Sequence, residues 1–67
     1  MIPVQFQIKR WDNDWIEATH NTAFMDGASH KDIMEVADFW FHCWGITTKK
    51  KLSNYRIDYI VLRKAGK

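Results

Sequence analysis

The sequence contains a single cysteine, Cys43, in 67 residues. One cysteine excludes a disulfide within the chain, which is typical of proteins in a reducing compartment. No apolar run approaches the length of roughly 20 residues that a membrane-spanning helix needs. The chain also does not start with the basic and then apolar pattern of a secretory signal peptide. We therefore expect a cytoplasmic protein that does not associate with a membrane.

The sequence also lacks internal repeats, linkers and low-complexity tracts. A chain of this length accommodates one domain, so we predict that residues 1–67 form a single small domain. Hydrophobic residues make up 46% of the chain, which favours a folded globule over disorder. A domain of this size buries only a modest fraction of its surface, so it has little interior for the 15% of its residues that are aromatic.

Charge is unevenly distributed along the chain, although the formal net charge is only +2. Residues 1–45 carry three basic and seven acidic side chains, whereas residues 46–67 carry seven basic side chains and one acidic side chain. This division suits a partner with a charge pattern of its own, and it also describes a soluble surface on which the two signs happen to segregate.

Three strands are predicted, over residues 4–11, 15–24 and 55–64. The first alternates apolar and polar residues, which is the period of a half-buried strand. A three-residue turn after it would pair Trp11 with Trp15 on the outer face of a hairpin. The third strand is rich in β-branched and aromatic residues, and we favour the phase that turns Tyr55, Ile57, Tyr59 and Val61 inward.

A helix is predicted over residues 29–44. Ser29 is a favourable N-cap, and Asp32 three residues later completes a capping box. Gly45 fits the left-handed position after the helix, where Ile46 would fold back onto Phe41. The apolar stripe expected to pack on the sheet consists of Ile33, Val36, Ala37, Trp40 and Trp44, with Cys43 buried at its edge.

The resulting fold is a single α+β domain of the order β-β-α-β. We expect a three-stranded antiparallel sheet in the order 2-1-3, with the crossover helix packed on one face. Nothing in the chain remains to cover the other face.

The chain shows no combination of residues that predicts catalysis, a metal site or a cofactor. His42 and Cys43 are adjacent on a helix, so their side chains diverge. The spacing of His20, His30, His42 and Cys43 matches no zinc pattern. No glycine-rich phosphate loop is present. We therefore expect a protein that is not an enzyme.

Exposed aromatic residues favour a protein partner. Trp11 and Trp15 on the uncovered sheet face resemble an interface anchor, although such a pair also stabilises a hairpin without any partner. Phe39 projects among the polar residues of the helix. The predicted partner-binding residues are Trp11, Trp15, Phe39, Ile60 and Leu62.

The basic C-terminal third suggests an alternative, a small nucleic-acid-binding domain. Basic residues near exposed aromatics can contact phosphates and stack on bases. No helix-turn-helix, zinc-finger or RNP-type pattern accompanies them. The residues for this alternative, which would also suit an acidic protein partner, are Lys49, Lys50, Lys51, Arg56, Arg63 and Lys64.

At the level of architecture alone, a small strand–strand–helix–strand domain with charged faces resembles small phage proteins that bind and disable a host enzyme. That resemblance implies an inhibitor or modulator that occupies a site on a larger protein. A homodimer that uses the open sheet face or a sheet edge is a further arrangement consistent with the pattern.

Overall fold

The computed structural model describes residues 1–62 and confirms the predicted fold class. Three antiparallel strands form one sheet in the order β2-β1-β3, and a single helix packs on one face. The predicted bounds of β1 and β2 are correct to within two residues. The third strand was predicted over residues 55–64 but ends at Val61, so the prediction is wrong at Leu62, and residues 63–64 lie outside the described residues. The elements are β1 Ile2–Arg10, β2 Ile16–Phe24, α1 His30–Thr48, a short 3-10 turn Leu52–Asn54 and β3 Tyr55–Val61.

The central strand β1 supplies the sheet side of the core. Val4, Phe6 and Ile8 are almost completely buried because strands pair with β1 on both sides and α1 covers this face. In β3, Ile57 lies opposite Ile8 and Tyr59 opposite Phe6, so the predicted inward phase of β3 is confirmed. Paired residues share a sheet face, which gives the helix a continuous apolar surface.

The predicted register of the hairpin is wrong at one end, where β2 contains a bulge. Between Ile8 and Lys9 the pairing shifts, so Lys9 lies opposite Ile16 and not opposite Glu17. One extra residue in β2 moves each β2 side chain before it to the opposite face of the sheet from the predicted one, because side chains alternate with a period of two.

The helix begins as predicted, at a capping box. The hydroxyl of Ser29 accepts a hydrogen bond from the backbone N–H of Asp32 at 3.1 Å. The Asp32 carboxylate in turn accepts one from the backbone N–H of Ser29 at 3.0 Å. Two of the otherwise unpaired donors at the helix start are thereby satisfied.

The predicted helix end is wrong, because α1 continues to Thr48. Gly45 lies inside the helix and is buried, and the left-handed cap is Lys49, with φ of 60°. A Cβ atom on Gly45 would come within 2.5 Å of Leu52 Cδ2. Gly45 therefore leaves room for Leu52, whose side chain would have to shift if a larger residue stood there. Ile46, which was expected to cover Phe41, is 79% exposed.

The helix is also rotated relative to the predicted stripe. Its buried line is Ile33, Ala37, Phe41 and Gly45, at a spacing of four, in which large and small residues alternate. Trp40 and Trp44 lie half-buried beside this line, as Trp40 packs on Phe6 and Trp44 on Tyr55. Val36 and Cys43, both expected to face inward, are exposed.

The sheet face away from the helix is polar at its centre. Gln7 is only 7% exposed, and its side-chain amide donates to the Gln5 side chain at 2.9 Å. Gln5 donates in turn to Asn21 at 3.0 Å, so a line of amides crosses from β1 to β2. These hydrogen bonds give the amide groups at the centre of this face partners on the face itself, although no element covers it.

Candidate functional site

The end of the β1–β2 hairpin carries the two tryptophans that the sequence analysis selected. Its loop spans residues 11–14, one residue longer than predicted, and closes where the Arg10 N–H donates to the Trp15 carbonyl at 3.1 Å. The Asn13 side chain accepts a hydrogen bond from the Trp15 N–H at 2.8 Å. Asparagine favours such turns because its side chain can bond to a backbone N–H two residues further on.

Arg56 holds this loop from β3, the strand that pairs with β1 on the side away from β2. It lies opposite Lys9 in the register, which places it on the outer face next to the hairpin end. Its guanidinium donates to the carbonyl groups of Arg10, Trp11 and Asn13 and to the carboxylate of Asp14. A planar group with several fixed donors suits this task, since it can bind several acceptors in one loop at once.

A further backbone bond continues the β1–β3 ladder into the loop. The Trp11 N–H donates to the Asn54 carbonyl at 2.9 Å. The hairpin end is thus attached to both neighbouring strands, and its backbone is ordered by contacts with distant parts of the chain.

The side chains of Trp11 and Trp15 nevertheless remain 67% and 66% exposed. The register indicates that they lie on opposite faces of the sheet. Trp11 continues the outer set of Lys9, whereas the bulge places Trp15 opposite Arg10, on the side of the helix. The two rings are therefore not the side-by-side pair that the sequence predicted, and they flank the hairpin end.

Charged residues from β1, from β2 and from the connection after α1 meet near Trp15. The Glu17 carboxylate lies 3.7 Å from Arg10 Nε and 3.6 Å from Lys50 Nζ, and its side chain is only 19% exposed. These contacts bring the basic segment 49–51 to the same end of the molecule as the hairpin loop. Tryptophans and charges of both signs therefore share one end of the molecule, which we call the hairpin pole, comprising residues 10–17 and 49–56.

Two shallow depressions lie on the hairpin pole, and Trp11 lines both of them. Tyr55 and Asn54 form part of one, whereas Arg56 and Asp14 form part of the other. Both are open to solvent and include an aromatic residue among the residues that line them. Such concavities suit protruding side chains of a protein partner.

The other residues predicted to bind a partner lie elsewhere. Phe39 is 72% exposed on the solvent side of α1, away from the sheet. Ile60 lies opposite Gln5, six positions of β1 away from Trp11. Leu62 is half-buried and bonds through its N–H to the Pro3 carbonyl at 2.8 Å. The five predicted residues therefore do not form one surface.

The residues predicted for nucleic-acid contact are also partly engaged within the chain. Arg56 binds the hairpin loop, and Lys50 lies against Glu17. Lys49 and Lys51 are exposed beside them, and Arg63 and Lys64 lie outside the described residues.

Within residues 1–62, no three His, Cys, Asp or Glu side chains converge as metal ligands would. His30 is bonded to the Tyr59 hydroxyl at 2.9 Å, and His42 to the carbonyl of Asp38 at 2.8 Å. Cys43 is exposed, and the ring of its chain neighbour His42 is engaged by this bond to the helix backbone. In the same part of the chain, no helix combines the length and the apolar character needed to cross a membrane.

Sequence reasoning missed two surface features. One is the use of Arg56 to hold the loop, which no local pattern signals because the contacts span more than 40 positions. The other is an apolar line on the solvent side of α1 that includes Val36 and Ile46. Its signal was present in the sequence as a second helical spacing, and the predicted inward stripe obscured it.

No protein-family model matches this chain, and neither a curated protein nor a solved structure is significantly similar to it. The case for a function therefore depends on the chemistry of the residues themselves, and the hairpin pole is the candidate site.

Proposed function

We propose that the protein is a non-enzymatic interaction module that binds a larger protein through the hairpin pole. The observation that carries this proposal is the combination of two tryptophans, each about two-thirds exposed, with a loop backbone held by Arg56. A folded protein gains nothing in its own core from large aromatic rings in this position. A partner that buries them gains apolar area without having to order the loop first.

Tryptophan and arginine are the residue types most enriched among the few that dominate binding energy at protein interfaces. The hairpin pole presents Trp11 and Trp15 with Arg10 beside them. Charged groups of both signs surround the rings, among them Asp12 and Lys50, and such a rim favours selection and orientation of a partner with complementary charges.

Binding of this kind would block whatever the covered surface of the partner normally does. The module would then act as an inhibitor or modulator by occupying a site, as the resemblance to small phage proteins implies. The lone, exposed Cys43 is consistent with action in a reducing compartment, so we place the protein in the cytoplasm.

The structure gives less support to the nucleic-acid alternative. Of the predicted contacts, Arg56 is directed at backbone carbonyls and Lys50 at Glu17. Phosphate binding requires basic side chains that are free to neutralise charge. A gel shift with single-stranded and duplex DNA or RNA at two salt concentrations separates the two functions, because phosphate binding weakens steeply with salt.

The test is affinity capture from native lysate with three forms of the protein: wild type, Trp11→Ala/Trp15→Ala and Met25→Ala. Met25 is a matched control, since it is 73% exposed and lies beyond the other end of β2. We expect a protein that wild type and the Met25 variant retain and that the double variant loses. The purified partner should then bind the double variant at least about tenfold more weakly in calorimetry.

Circular dichroism and urea unfolding verify that the double variant is folded. Equal affinity of folded double variant and wild type for the captured partner would refute the assignment of the hairpin pole. Salt-sensitive gel shifts without any captured protein would refute the protein-binding function itself.

A further inference from the structure

The solvent side of α1 carries four apolar residues in one line, which we call the outer helix seam: Val36, Phe39, Cys43 and Ile46. They follow one another at spacings of three, four and three, the pattern of the a and d positions of a coiled coil. All four are exposed, and Phe39 and Ile46 are 72% and 79% exposed. The helix thus has two apolar sides, of which the sheet covers only one.

This seam is not needed for the fold. The opposite side of α1 already buries Ile33, Ala37 and Phe41 against the sheet. Isolated exposed apolar residues are common, but a continuous apolar line on a helix is a typical docking surface for another helix.

The charges along the helix indicate which partner covers the outer helix seam. Asp32 and Glu35 lie in its first two turns, whereas Lys49 and Lys50 follow its last turn. Within residues 1–62, neither Glu35 nor Lys49 takes part in an ion pair. A second copy of the same helix in antiparallel orientation brings the acidic start of each helix to the basic end of the other. A parallel copy brings like charges together, and it also aligns the two helix dipoles unfavourably.

We propose that a second copy of this chain covers the outer helix seam, with the two α1 helices antiparallel about a two-fold axis. In this register Val36 packs in one layer with Ile46 of the second copy, and Phe39 with Cys43 of the second copy. Glu35 then comes next to Lys49 of the second copy, and the symmetry repeats each contact.

The dimer leaves the hairpin pole free. The ion pair between Glu17 and Lys50 places that pole at the C-terminal end of α1. Antiparallel helices therefore hold the two hairpin poles at opposite ends of the dimer, and each copy can bind its own partner. Two linked sites raise the apparent affinity for a partner that is itself multivalent.

The seam has only four layers, so the dimer should be weak. It buries less than the roughly 800 Å² per partner of a standard stable interface. We expect a monomer–dimer equilibrium in the micromolar range, in which the single large ring of Phe39 contributes most of the apolar burial.

Sedimentation equilibrium of the full chain tests the association. We expect wild type to shift from monomer to dimer with concentration, and Phe39→Ala to weaken the dimer at least about tenfold. Met25→Ala, another highly exposed apolar residue, should leave it unchanged. A wild type that stays monomeric up to about 1 mM, or a dimer that Phe39→Ala does not weaken, would overturn the proposal.

Cross-linking with a short bismaleimide tests the orientation. The variants are Val36→Cys and Ile46→Cys, each with Cys43→Val so that the seam remains apolar. A mixture of the two should cross-link efficiently, whereas each alone should not. In an antiparallel pair, residue 36 of one copy lies next to residue 46 of the other copy and far from residue 36 of that copy. Efficient cross-linking of the Val36→Cys protein with itself would instead show a parallel dimer and overturn the antiparallel assignment.

A charge exchange provides an independent test by the same sedimentation measurement. Glu35→Lys and Lys49→Glu should each weaken the dimer, since each brings like charges together across the axis. The double variant E35K/K49E should recover wild-type affinity, because the pair is restored with its signs exchanged. Failure of the double variant to recover would contradict the proposed register.

Discussion

The guanidinium of Arg56 lies 2.8 Å from a carboxylate oxygen of Asp14, a residue 42 positions earlier in the chain. The same group donates to backbone carbonyls of the hairpin loop, including that of Asn13 at 3.0 Å. The loop that carries the two exposed tryptophans is therefore shaped by β3 as well as by its own turn residues.

This arrangement predicts that substitutions of the two partners of the ion pair lower the free energy of unfolding by different amounts. Arg56→Lys should lower the free energy of unfolding by about 1–2 kcal/mol, because a single ammonium cannot replace a fork that serves several acceptors. Asp14→Asn should cost much less, since the Asp14 side chain is 91% exposed and screened by solvent. Urea unfolding measures both. A similar loss in the two variants would mean that the ion pair, and not the carbonyl contacts, holds the loop.

Substitution of the two phenylalanines of α1 tests which side of the helix faces the sheet. Phe41→Ala should destabilise the fold by about 3–5 kcal/mol, because Phe41 is a large buried side chain on the same line of α1 as the core residues Ile33 and Ala37. Phe39→Ala should have little effect on the monomer, since Phe39 faces solvent. Thermal and urea unfolding at low concentration keep any dimer from contributing. The reverse order of the two losses would be incompatible with the observed rotation.

Gly45 and Leu52 should be energetically coupled. Gly45→Ala adds up to about 1 kcal/mol of helix propensity, but its Cβ would come within 2.5 Å of Leu52 Cδ2. Such overpacking costs about 1–3 kcal/mol, so we expect a net loss of stability.

The matched experiment repeats this substitution in a Leu52→Ala background. There the Cβ has room, and Gly45→Ala should become neutral or stabilising. A double-mutant cycle measured by urea unfolding gives the coupling energy. Additive effects would show that Leu52 is not the reason for a glycine at this position.

The capping box at the start of α1 predicts a loss of about 1 kcal/mol for Ser29→Ala, because the Asp32 N–H then loses its acceptor. Ser29→Asp keeps an acceptor oxygen and should retain most of the stability. Equilibrium unfolding distinguishes the two substitutions. An equal loss in both would contradict the hydrogen-bonded cap.

Local patterns were sufficient for the outline of the fold. The alternation in residues 4–11 and the facing of β3 were predictable because a strand has a period of two whatever its surroundings. The helix start at Ser29 was predictable because a cap depends on residues three positions apart. The strand order follows from a short hairpin between β1 and β2 and from a crossover through α1 that returns the chain beside β1.

The candidate site was predictable only in part. Trp11 and Trp15 were selected correctly as exposed residues, but their placement on one face was wrong. The bulge adds one residue to β2, and no residue type in this segment predicts a bulge.

The sequence by itself therefore determined the strands and the helix start, the order of the elements and the exposure of Trp11, Trp15 and Phe39. The tertiary structure decided the rotation of the helix, its end and the shape of the hairpin pole. Gly45 shows the physical reason, since it matches a helix terminator in sequence yet lies within a helix, where the side chain of Leu52 packs against it. Arg56 shows it again, because its acceptors lie on a loop that only the folded sheet brings within reach.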